Sequence, residues 1–317
     1  MQGLVTIVGG SGFLGRYIVQ ELVATGTRVR VAVRRPNAAM FLKPLGQVGQ
    51  IQLIAADVRD ERQIAAAMHG ADAAVNLVGI LAEARGRSFA DIHAEGAATV
   101  ARVAAGAGVR ALVHVSAIGA DAASHSAYGR SKAAGEAAVR AAFPAATILR
   151  PSLVFGPEDA FMNRFAALAR VAPLMPVVAG NTRFQPVHVV DVARAVVGAL
   201  ENPARFGGAV FELGGPKVYT FRELLVWIMR EIRVDKRLVD VPPVVAKLMA
   251  RAGDILPGLP MTSDQYAMLQ RDNVVGVGAP GLEAFGIRPT PLEAIAPAYL
   301  ERYRRFGRFN DQRTATA

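Results

Sequence analysis

The sequence predicts an α/β fold in which a doubly wound parallel sheet is followed by a smaller, mostly helical C-terminal domain. Three observations predict it. Over the first 150 residues, short β-branched runs alternate with alanine-rich segments of helical length. These runs are almost continuously apolar, as are parallel strands that helices cover on both faces. A glycine-rich turn also joins the first run to the first helical segment, an order typical of doubly wound sheets.

The elements of this first part follow from composition and spacing. Six β-branched runs are predicted as strands: Leu4–Val8, Arg28–Val33, Ile51–Ala55, Ala73–Leu77, Ala111–Val115 and Thr147–Leu149. The segments between them predict helices at Gly12–Ala24, Glu61–Met68, Ser88–Ala107 and Ala127–Ala142. We therefore assign residues 1–150 to one Rossmann-type domain that binds a nucleotide.

The pattern changes after Arg150-Pro151, where prolines and glycines become frequent. Residues 151–303 are predicted to form a smaller C-terminal domain, from which some segments return to the first sheet. Its predicted elements are a strand at Ala209–Leu213 and helices at Val189–Leu200, Phe221–Ile232 and Leu292 to about Tyr303. Residues 304–317 lack a core-forming pattern, so they are expected to be a basic flexible tail.

Composition narrows the classes of function. The chain has 317 residues, of which 52% are hydrophobic, and it contains no cysteine, which excludes disulfides and thiolate metal sites. The five histidines show no metal-ligand spacing, so we expect no metal. The net charge of +10 favours an anionic partner, but basic and aromatic residues are not interleaved as in nucleic-acid-binding modules. Because neither a secretory signal nor an apolar run of membrane-spanning length is found, we expect a cytoplasmic protein.

The glycine-rich turn predicts a site for the phosphates of a dinucleotide. In Gly9-Gly-Ser-Gly-Phe-Leu-Gly15, Gly9 permits a tight turn, Gly12 lets the backbone approach a pyrophosphate, and Gly15 allows close packing of helix and strand. The next helix begins at this turn, so its first N–H groups, around Phe13 and Leu14, face the phosphates.

The residues after the second strand predict which dinucleotide is bound. An enzyme that selects NAD(H) carries an acidic residue there, whereas this chain has Arg34 and Arg35. Two guanidinium groups suit a 2′-phosphate. The sequence therefore favours NADP(H) over NAD(H), and the alternative is that both arginines are solvated loop charges.

Residues after the third and fourth strands complete the predicted nucleotide site. Asp57-Val58 lies where a carboxylate reaches the adenine amino group, although Asp57 is equally suited to cap the helix that starts near Asp60. Leu77 and Gly79 are expected beside the adenosine ribose. The alternative is that the apolar residues there are ordinary core residues with no role in binding.

Four motifs, in their order and spacing, resemble the extended or atypical members of the short-chain dehydrogenase/reductase superfamily: the glycine turn, Tyr128-Gly-Arg-Ser-Lys132, Arg150-Pro-Ser-Leu-Val-Phe-Gly-Pro157 and Gln185-Pro-Val-His-Val-Val-Asp191. Within that superfamily the chain is similar to the nucleotide-binding accessory subunits of respiratory complex I (NADH:ubiquinone oxidoreductase) and their bacterial relatives. That likeness rests on Val115-Ser-Ala-Ile-Gly-Ala-Asp121 and Met261-Thr-Ser-Asp-Gln265. It implies complex I subunits as partners and peripheral contact with the cytoplasmic face of the inner membrane.

Tyr128 and Lys132 are the candidate catalytic pair. They lie four residues apart in a predicted helix and so share one face. A nearby ammonium favours the phenolate of Tyr128 and suits it to general acid–base chemistry. The lysine can also hydrogen-bond the nicotinamide ribose, and in the alternative interpretation the pair only holds that ribose.

The third member of a catalytic set is in doubt. Active relatives use a Ser or Thr to orient the substrate carbonyl, and the resemblance places Ala117 or Ile118 in that position. Ser116 lies one residue early, where an extended chain points its side chain the opposite way. Ser116 can orient the substrate carbonyl only if the strand bulges. Ser124 and Ser126, in the loop that follows, are the alternatives for this role.

Two functions follow from these observations. The first is an NADP(H)-binding accessory or assembly-related protein of complex I, in which the nucleotide is largely structural. The second is a free-standing NADP(H)-dependent oxidoreductase or epimerase that uses Tyr128 and Lys132. The doubtful serine position and the likeness to accessory subunits favour the first.

Overall fold

The computed structural model describes residues 3–84, 86–255 and 261–307 of the chain. It divides into two compact units, each made of three chain segments. Unit 1 contains Met1–Pro151, Val189–Leu213 and Val275–Arg288, and unit 2 contains Ser152–His188, Gly214–Val274 and Pro289–Ala317. Residues 308–317, most of the predicted tail, lie outside the described residues. No helix in the described ranges is long and apolar enough to cross a membrane.

Unit 1 contains a seven-stranded sheet in which every pairing is parallel. Its strands are β1 (Leu4–Val8), β2 (Arg28–Val33), β3 (Ile51–Ala55), β4 (Ala73–Asn76), β5 (Ala111–Val115), β6 (Thr147–Pro151) and β11 (Val210–Leu213), in the spatial order β3-β2-β1-β4-β5-β6-β11. This confirms the predicted fold class. The strand β11 comes from the second half of the sequence and extends the sheet beyond β6.

Helices cover both faces of this sheet. Contacts join α1 (Phe13–Ala24) to α6 (Val189–Glu201), and they join α3 (Gly96–Gly106) to both α2 (Glu61–Met68) and α4 (Ala127–Ala142). The short helix α7 (Pro203–Phe206) and 3-10 turns at Pro36–Leu45 and Leu282–Phe285 complete the unit. Between helices and sheet lies an almost wholly aliphatic core that includes Ile7, Ile18 and Leu112, each no more than 1% exposed.

Local sequence explains where the helices of unit 1 begin. The Asp60 carboxylate accepts hydrogen bonds from the N–H groups of Arg62 and Gln63 and so caps α2. Ser126 caps α4 by accepting from the Gly129 N–H at 3.2 Å. The predicted cap role of Asp57 is therefore wrong, because Asp60 holds that position.

The predicted helix Ser88–Ala107 is not uniform. Residues Ala90–Glu95 form a π-helical turn, and the α-helix proper begins only at Gly96. At this turn α4 approaches closely: a Cβ placed on Gly135 would lie 2.1 Å from the carbonyl oxygen of His93. The irregular turn thus coincides with a tertiary contact that the sequence pattern does not reveal.

Unit 2 is mostly helical and carries three two-stranded sheets. The helices are α5 (Ala160–Val171), α8 (Phe221–Glu231), α9 (Pro243–Ile255), α10 (Ser263–Met268) and α11 (Leu292–Leu300), and a 3-10 turn follows at Glu301–Tyr303. The strands pair as β7 (Val154–Phe155) with β10 (Val187–His188), β8 (Met175–Val177) with β13 (Leu238–Asp240), and β9 (Arg183–Phe184) with β12 (Tyr219–Thr220). Its core combines aliphatic and aromatic residues, and at its edge Phe161, Phe165 and Phe221 are in mutual edge-to-face contact.

Candidate functional site

A cleft of about 400 Å³ lies at the carboxyl edge of the sheet in unit 1. The register explains its position, because Val8 at the end of β1 pairs with Ala32 of β2 and with Asn76 of β4. The turns that follow these parallel strands meet at one edge. Of the predicted nucleotide-binding residues, the cleft brings together Gly9, Gly12, Arg34, Arg35, Asp57, Val58, Leu77 and Gly79.

The glycine turn has a geometry that side chains would disrupt. Gly9 has a φ of +85°, and a Cβ there would lie 2.9 Å from Val78. A Cβ on Gly15 would lie 2.4 Å from the carbonyl oxygen of Gly10, so α1 packs directly on the turn. At Gly12 the nearest described atom is 3.8 Å away, which leaves space for a ligand group beside the backbone.

The first turn of α1 follows the glycine turn directly. Phe13, Leu14 and Gly15 are the first three residues of α1, so their N–H groups precede the helical hydrogen-bond ladder. They are not among the described residues that line the cleft. The Phe13 ring instead packs edge-on against Tyr17 at 5.9 Å. A phosphate at this end of the cleft fits the charge at the end of the helix.

The wall of the cleft beyond β2 is basic. Arg34, Arg35 and Arg87 line it, and Arg34 and Arg35 are exposed. Neither of these two forms an ion pair with a carboxylate of the described residues. The one acidic side chain of the lining, Asp57, is neutralised by Arg59 through bonds of 3.0 and 2.8 Å. Hydrogen bonding to Arg59 holds the pKa of Asp57 below its usual value.

The turn after β4 is fixed by two side chains. The Asn76 amide oxygen accepts from the Val78 N–H at 3.1 Å. The Ile80 N–H donates to Nε2 of His93 at 3.0 Å. Leu77 and Gly79 thus lie in a turn that the buried side chains of Asn76 and His93 stabilise.

His93 was missed by the sequence analysis. Because Nε2 accepts from Ile80, the ring proton lies on Nδ1, which donates to the Ser131 hydroxyl at 2.8 Å. That hydroxyl donates in turn to the carbonyl of Tyr128. Burial, and after it the charge of Lys132, lowers the pKa of His93 to about 4, so the ring is neutral at pH 7. His93 therefore connects the cleft wall to the helix that carries Tyr128 and Lys132.

The candidate catalytic pair is not among the described residues that line this cleft. The Tyr128 ring is half-buried and packs edge-on against Phe89 and His93 at 5.9 and 5.4 Å. Lys132 is buried, and its ammonium donates to the carbonyl of Val115 at the end of β5 at 2.9 Å. Burial lowers the pKa of Lys132 to about 8, although the carboxylate of Glu136 acts in the opposite direction.

Ser116 is not brought into the cleft either. Its side chain is buried, and its Oγ has no hydrogen-bond partner among the described residues. His114, two residues earlier, is likewise buried: Nδ1 accepts from the Asn76 amide at 3.2 Å, and Nε2 finds no described partner. The loop alternatives are also occupied, since Ser126 caps α4 and Ser124 Oγ accepts from the Ser126 N–H. Among the described residues, no cluster of His, Asp or Glu is arranged to hold a metal ion.

The arrangement of strands, glycine turn and basic wall is that of a nucleotide-binding dehydrogenase. The model of the NAD dependent epimerase/dehydratase family matches residues 5–214, and the chain belongs to this family, whose members bind a nicotinamide dinucleotide.

Among characterised relatives, the mitochondrial NADH dehydrogenase (ubiquinone) 1 alpha subcomplex subunit 9 of Arabidopsis thaliana is 37% identical, with 95% of this chain and 78% of the relative aligned. The Rattus norvegicus protein of that name is 34% identical over 95% and 80%. A ceramide reductase of Caulobacter vibrioides is 32% identical over 76% and 74%. The resemblance to the complex I accessory subunits is thereby confirmed.

Solved structures agree with the fold. A dTDP-glucose 4,6-dehydratase of Streptomyces venezuelae with NAD bound has a TM-score of 0.71 at 22% identity, covering 95% of this chain and 97% of that one. An NADPH-dependent quinone oxidoreductase of Escherichia coli has a TM-score of 0.72 at 21% identity, covering 92% and 98%. Since one structure has NAD bound and the other NADPH, these neighbours do not indicate which of the two dinucleotides this chain binds.

Proposed function

We propose that the protein is an NADP(H)-binding accessory or assembly-related subunit of respiratory complex I, with a largely structural nucleotide. One contrast carries the proposal: the cleft is open and basic, whereas the Lys132 ammonium is bonded to the protein and the Ser116 hydroxyl is buried. Lys132 is bonded to the Val115 carbonyl, and the Ser116 hydroxyl lies outside the cleft. The similarity to complex I subunits over 95% of the chain supports the same assignment.

In this proposal the nucleotide is held by residues of unit 1. Gly9, Gly12 and Gly15 with the first turn of α1, including Phe13 and Leu14, accommodate the pyrophosphate. Val58, Leu77 and Gly79 flank the adenosine, and Asp57 lies near the adenine. Tyr128 and Lys132 hold the nicotinamide ribose. Residues 1–150 are the main nucleotide-binding part and 151–303 the smaller domain, with 304–317 as a basic tail.

Arg34 and Arg35 are proposed to select NADP(H). Their guanidinium groups line the cleft beyond β2 and pair with no described carboxylate, so a 2′-phosphate there gains charge-assisted bonds that a 2′-hydroxyl does not. A bound dinucleotide stabilises the folded state without turnover, by a free energy that rises with the logarithm of its concentration relative to its Kd.

The deciding experiment is to purify the chain without added nucleotide and to identify any dinucleotide released on denaturation, together with its exchange rate. Tightly held NADP(H) that exchanges slowly is the expected result. Rapid, weak binding contradicts a structural nucleotide. Tightly held NAD(H) contradicts the roles of Arg34 and Arg35.

A matched pair of variants tests the selection of NADP(H). Replacing Arg34 and Arg35 together by Ala is expected to weaken NADPH binding about 10- to 100-fold and to leave NADH binding unchanged. The control is Arg140→Ala, which removes an exposed arginine from the last turn of α4 in the same unit. Titration calorimetry with both nucleotides distinguishes lost selectivity from general loss of positive charge.

The C-terminal part supplies a proposed membrane contact on the cytoplasmic face of the inner membrane. Helix α9 leaves Val244, Val245 and Leu248 exposed by 79%, 46% and 69%, next to Lys247 and Arg251. Such a helix suits the surface of an anionic bilayer. We expect co-sedimentation with vesicles of phosphatidylglycerol and phosphatidylcholine, and loss of it in Leu248→Asp. Equal sedimentation of both proteins contradicts this contact.

The ceramide reductase relative supports one alternative, a free-standing NADP(H)-dependent oxidoreductase. Tyr128 would then donate a proton to a substrate carbonyl, and Lys132 would favour its phenolate. Turnover with a carbonyl substrate that Tyr128→Phe abolishes supports this alternative over the structural role.

A further inference from the structure

An apolar surface beside the nucleotide cleft is not used by the proposed nucleotide site. It lies on the segment between β2 and β3, which begins with the 3-10 turn Pro36–Leu45. Met40, Phe41, Leu45 and Val48 are exposed by 54%, 45%, 37% and 107%. We call these four residues the crossover surface. Single exposed apolar residues are common, but four within nine positions form a patch of the kind that marks interaction sites.

Buried residues and a hydrogen bond to β3 anchor the segment that carries the crossover surface. Ala39 and Leu42, which alternate with the exposed positions, are completely buried. The Lys43 ammonium donates to the carbonyl of Ile51 at 2.6 Å and ties the turn to β3. The Phe41 ring lies under the guanidinium of Arg16, 4.9 Å from the ring centroid. The apolar side chains are therefore presented by an ordered turn.

The charge around this surface has one sign. Between Glu21 and Asp57 the sequence contains no acidic residue, whereas it contains five basic ones: Arg28, Arg30, Arg34, Arg35 and Lys43. Arg28 is exposed and forms no ion pair with a described carboxylate, whereas Arg34 and Arg35, also exposed, are assigned above to the 2′-phosphate of the nucleotide. A partner that covers the apolar patch must bring negative charge to its rim. A second copy of this chain would bring the same cations, so self-association is disfavoured.

We propose that the crossover surface docks an acidic, partly apolar face of a partner protein. Residue type favours protein over lipid, because Met, Phe and Arg are enriched at protein interfaces and four of the five cations here are arginine. Arginine pairs with carboxylates through two parallel bonds, which gives a protein partner a fixed orientation. This inference rests on the proposed accessory role, since it names the surface through which unit 1 meets complex I.

The position of the surface links it to the cleft. Ala38 of the same turn lines the cleft with Arg34 and Arg35, and its N–H donates to the carbonyl of Arg35 at 3.1 Å. A partner on the crossover surface is thus expected to contact the rim of the nucleotide site.

The test uses two fully exposed valines of unit 1. Val48 lies in the crossover surface and Val277 lies elsewhere, with exposures of 107% and 110%. The nucleotide-loaded full chain is titrated against detergent-solubilised complex I purified from cells that lack its gene. We expect Val48→Asp and Met40→Asp to raise the Kd at least about tenfold, and Val277→Asp to leave it unchanged. Raising the salt concentration should weaken binding of the unaltered chain.

The outcomes separate this inference from the function on which it rests. If the unaltered chain does not bind the depleted complex, both the accessory role and the docking surface are overturned. If it binds and Val48→Asp behaves like Val277→Asp, only the docking surface is overturned. Binding to phosphatidylglycerol vesicles that Val48→Asp abolishes would make the occupant a lipid and overturn the protein partner.

Discussion

The nucleotide cleft and the Tyr128–Lys132 region of unit 1 differ in what their polar groups contact. In the cleft, arginines and the first turn of α1 remain available to a ligand. Around Lys132, the polar groups are satisfied by the protein or enclosed in it: the ammonium bonds the Val115 carbonyl and His93 bonds Ser131. The difference teaches that one unit of this fold can keep an open, basic cleft while the polar groups around Lys132 pair within the protein.

The largest expected effect, a loss of both stability and retained nucleotide, tests the packing behind the cleft. Gly15→Ala places a Cβ 2.4 Å from the Gly10 carbonyl oxygen, so α1 or the glycine turn must move. Overpacking of this kind costs about 1–3 kcal/mol, and we expect a lower Tm together with loss of retained nucleotide. At Gly12 the nearest atom is 3.8 Å away, so Gly12→Ala should keep the Tm of the nucleotide-free protein and weaken only nucleotide binding. A Gly15→Ala protein of unaltered stability would contradict this account of the packing.

The next effect tests the burial of Lys132. Its pKa is lowered from 10.5 to about 8 in the folded state, so between pH 8 and 10.5 the unfolded state binds more protons. Stability therefore rises with pH in this window, by about 3 kcal/mol relative to a variant without the amine. Urea unfolding of Lys132→Met should lack this rise, whereas the exposed-site control Lys247→Met should keep it. If the free energy of unfolding of the unaltered chain and of Lys132→Met changed with pH in the same way, Lys132 would not be buried as an amine.

The smallest effect tests Ser116. Its Oγ is buried with no described partner, so removing the hydroxyl should leave stability unchanged or raise it by about 1 kcal/mol. Ser126→Ala is the contrasting variant, because it removes the cap of α4 and should cost about 1 kcal/mol. Nucleotide retention should be unaffected by Ser116→Ala. A loss of any measured turnover in this variant would return Ser116 to the catalytic set.

Apolar periodicity and the glycine turn were sufficient to predict the sheet and most helices of unit 1. Strands such as Leu4–Val8 and Arg28–Val33 begin and end where composition places them, because parallel strands covered on both faces require continuous apolar runs. The residues that line the cleft were predictable for the same reason, since they follow the strands at one edge.

The polar interior was not predictable. His93 and Ser131 are 38 residues apart, as are Asn76 and His114, and no local pattern pairs them. The π-helical turn at Ala90–Glu95 lies where Gly135 approaches from another helix. Asp57 was a cap candidate from sequence, and only the neighbouring contacts show that it pairs with Arg59 while Asp60 caps the helix.

The discontinuity of unit 1 has a consequence for synthesis on the ribosome. Strand β11 and residues 275–288 belong to the unit that carries the cleft, but β11 is translated only after residues 152–188 of unit 2, and residues 275–288 only after residues 214–274 as well. At about 5–20 residues per second, roughly 15–60 s pass between the first strand and residue 288. Until residue 213 has been made, β6 lacks its outer neighbour β11 and presents an unpaired edge to other nascent chains. Chaperone dependence and aggregation of truncated products should therefore be greatest for chains that end between residues 151 and 209.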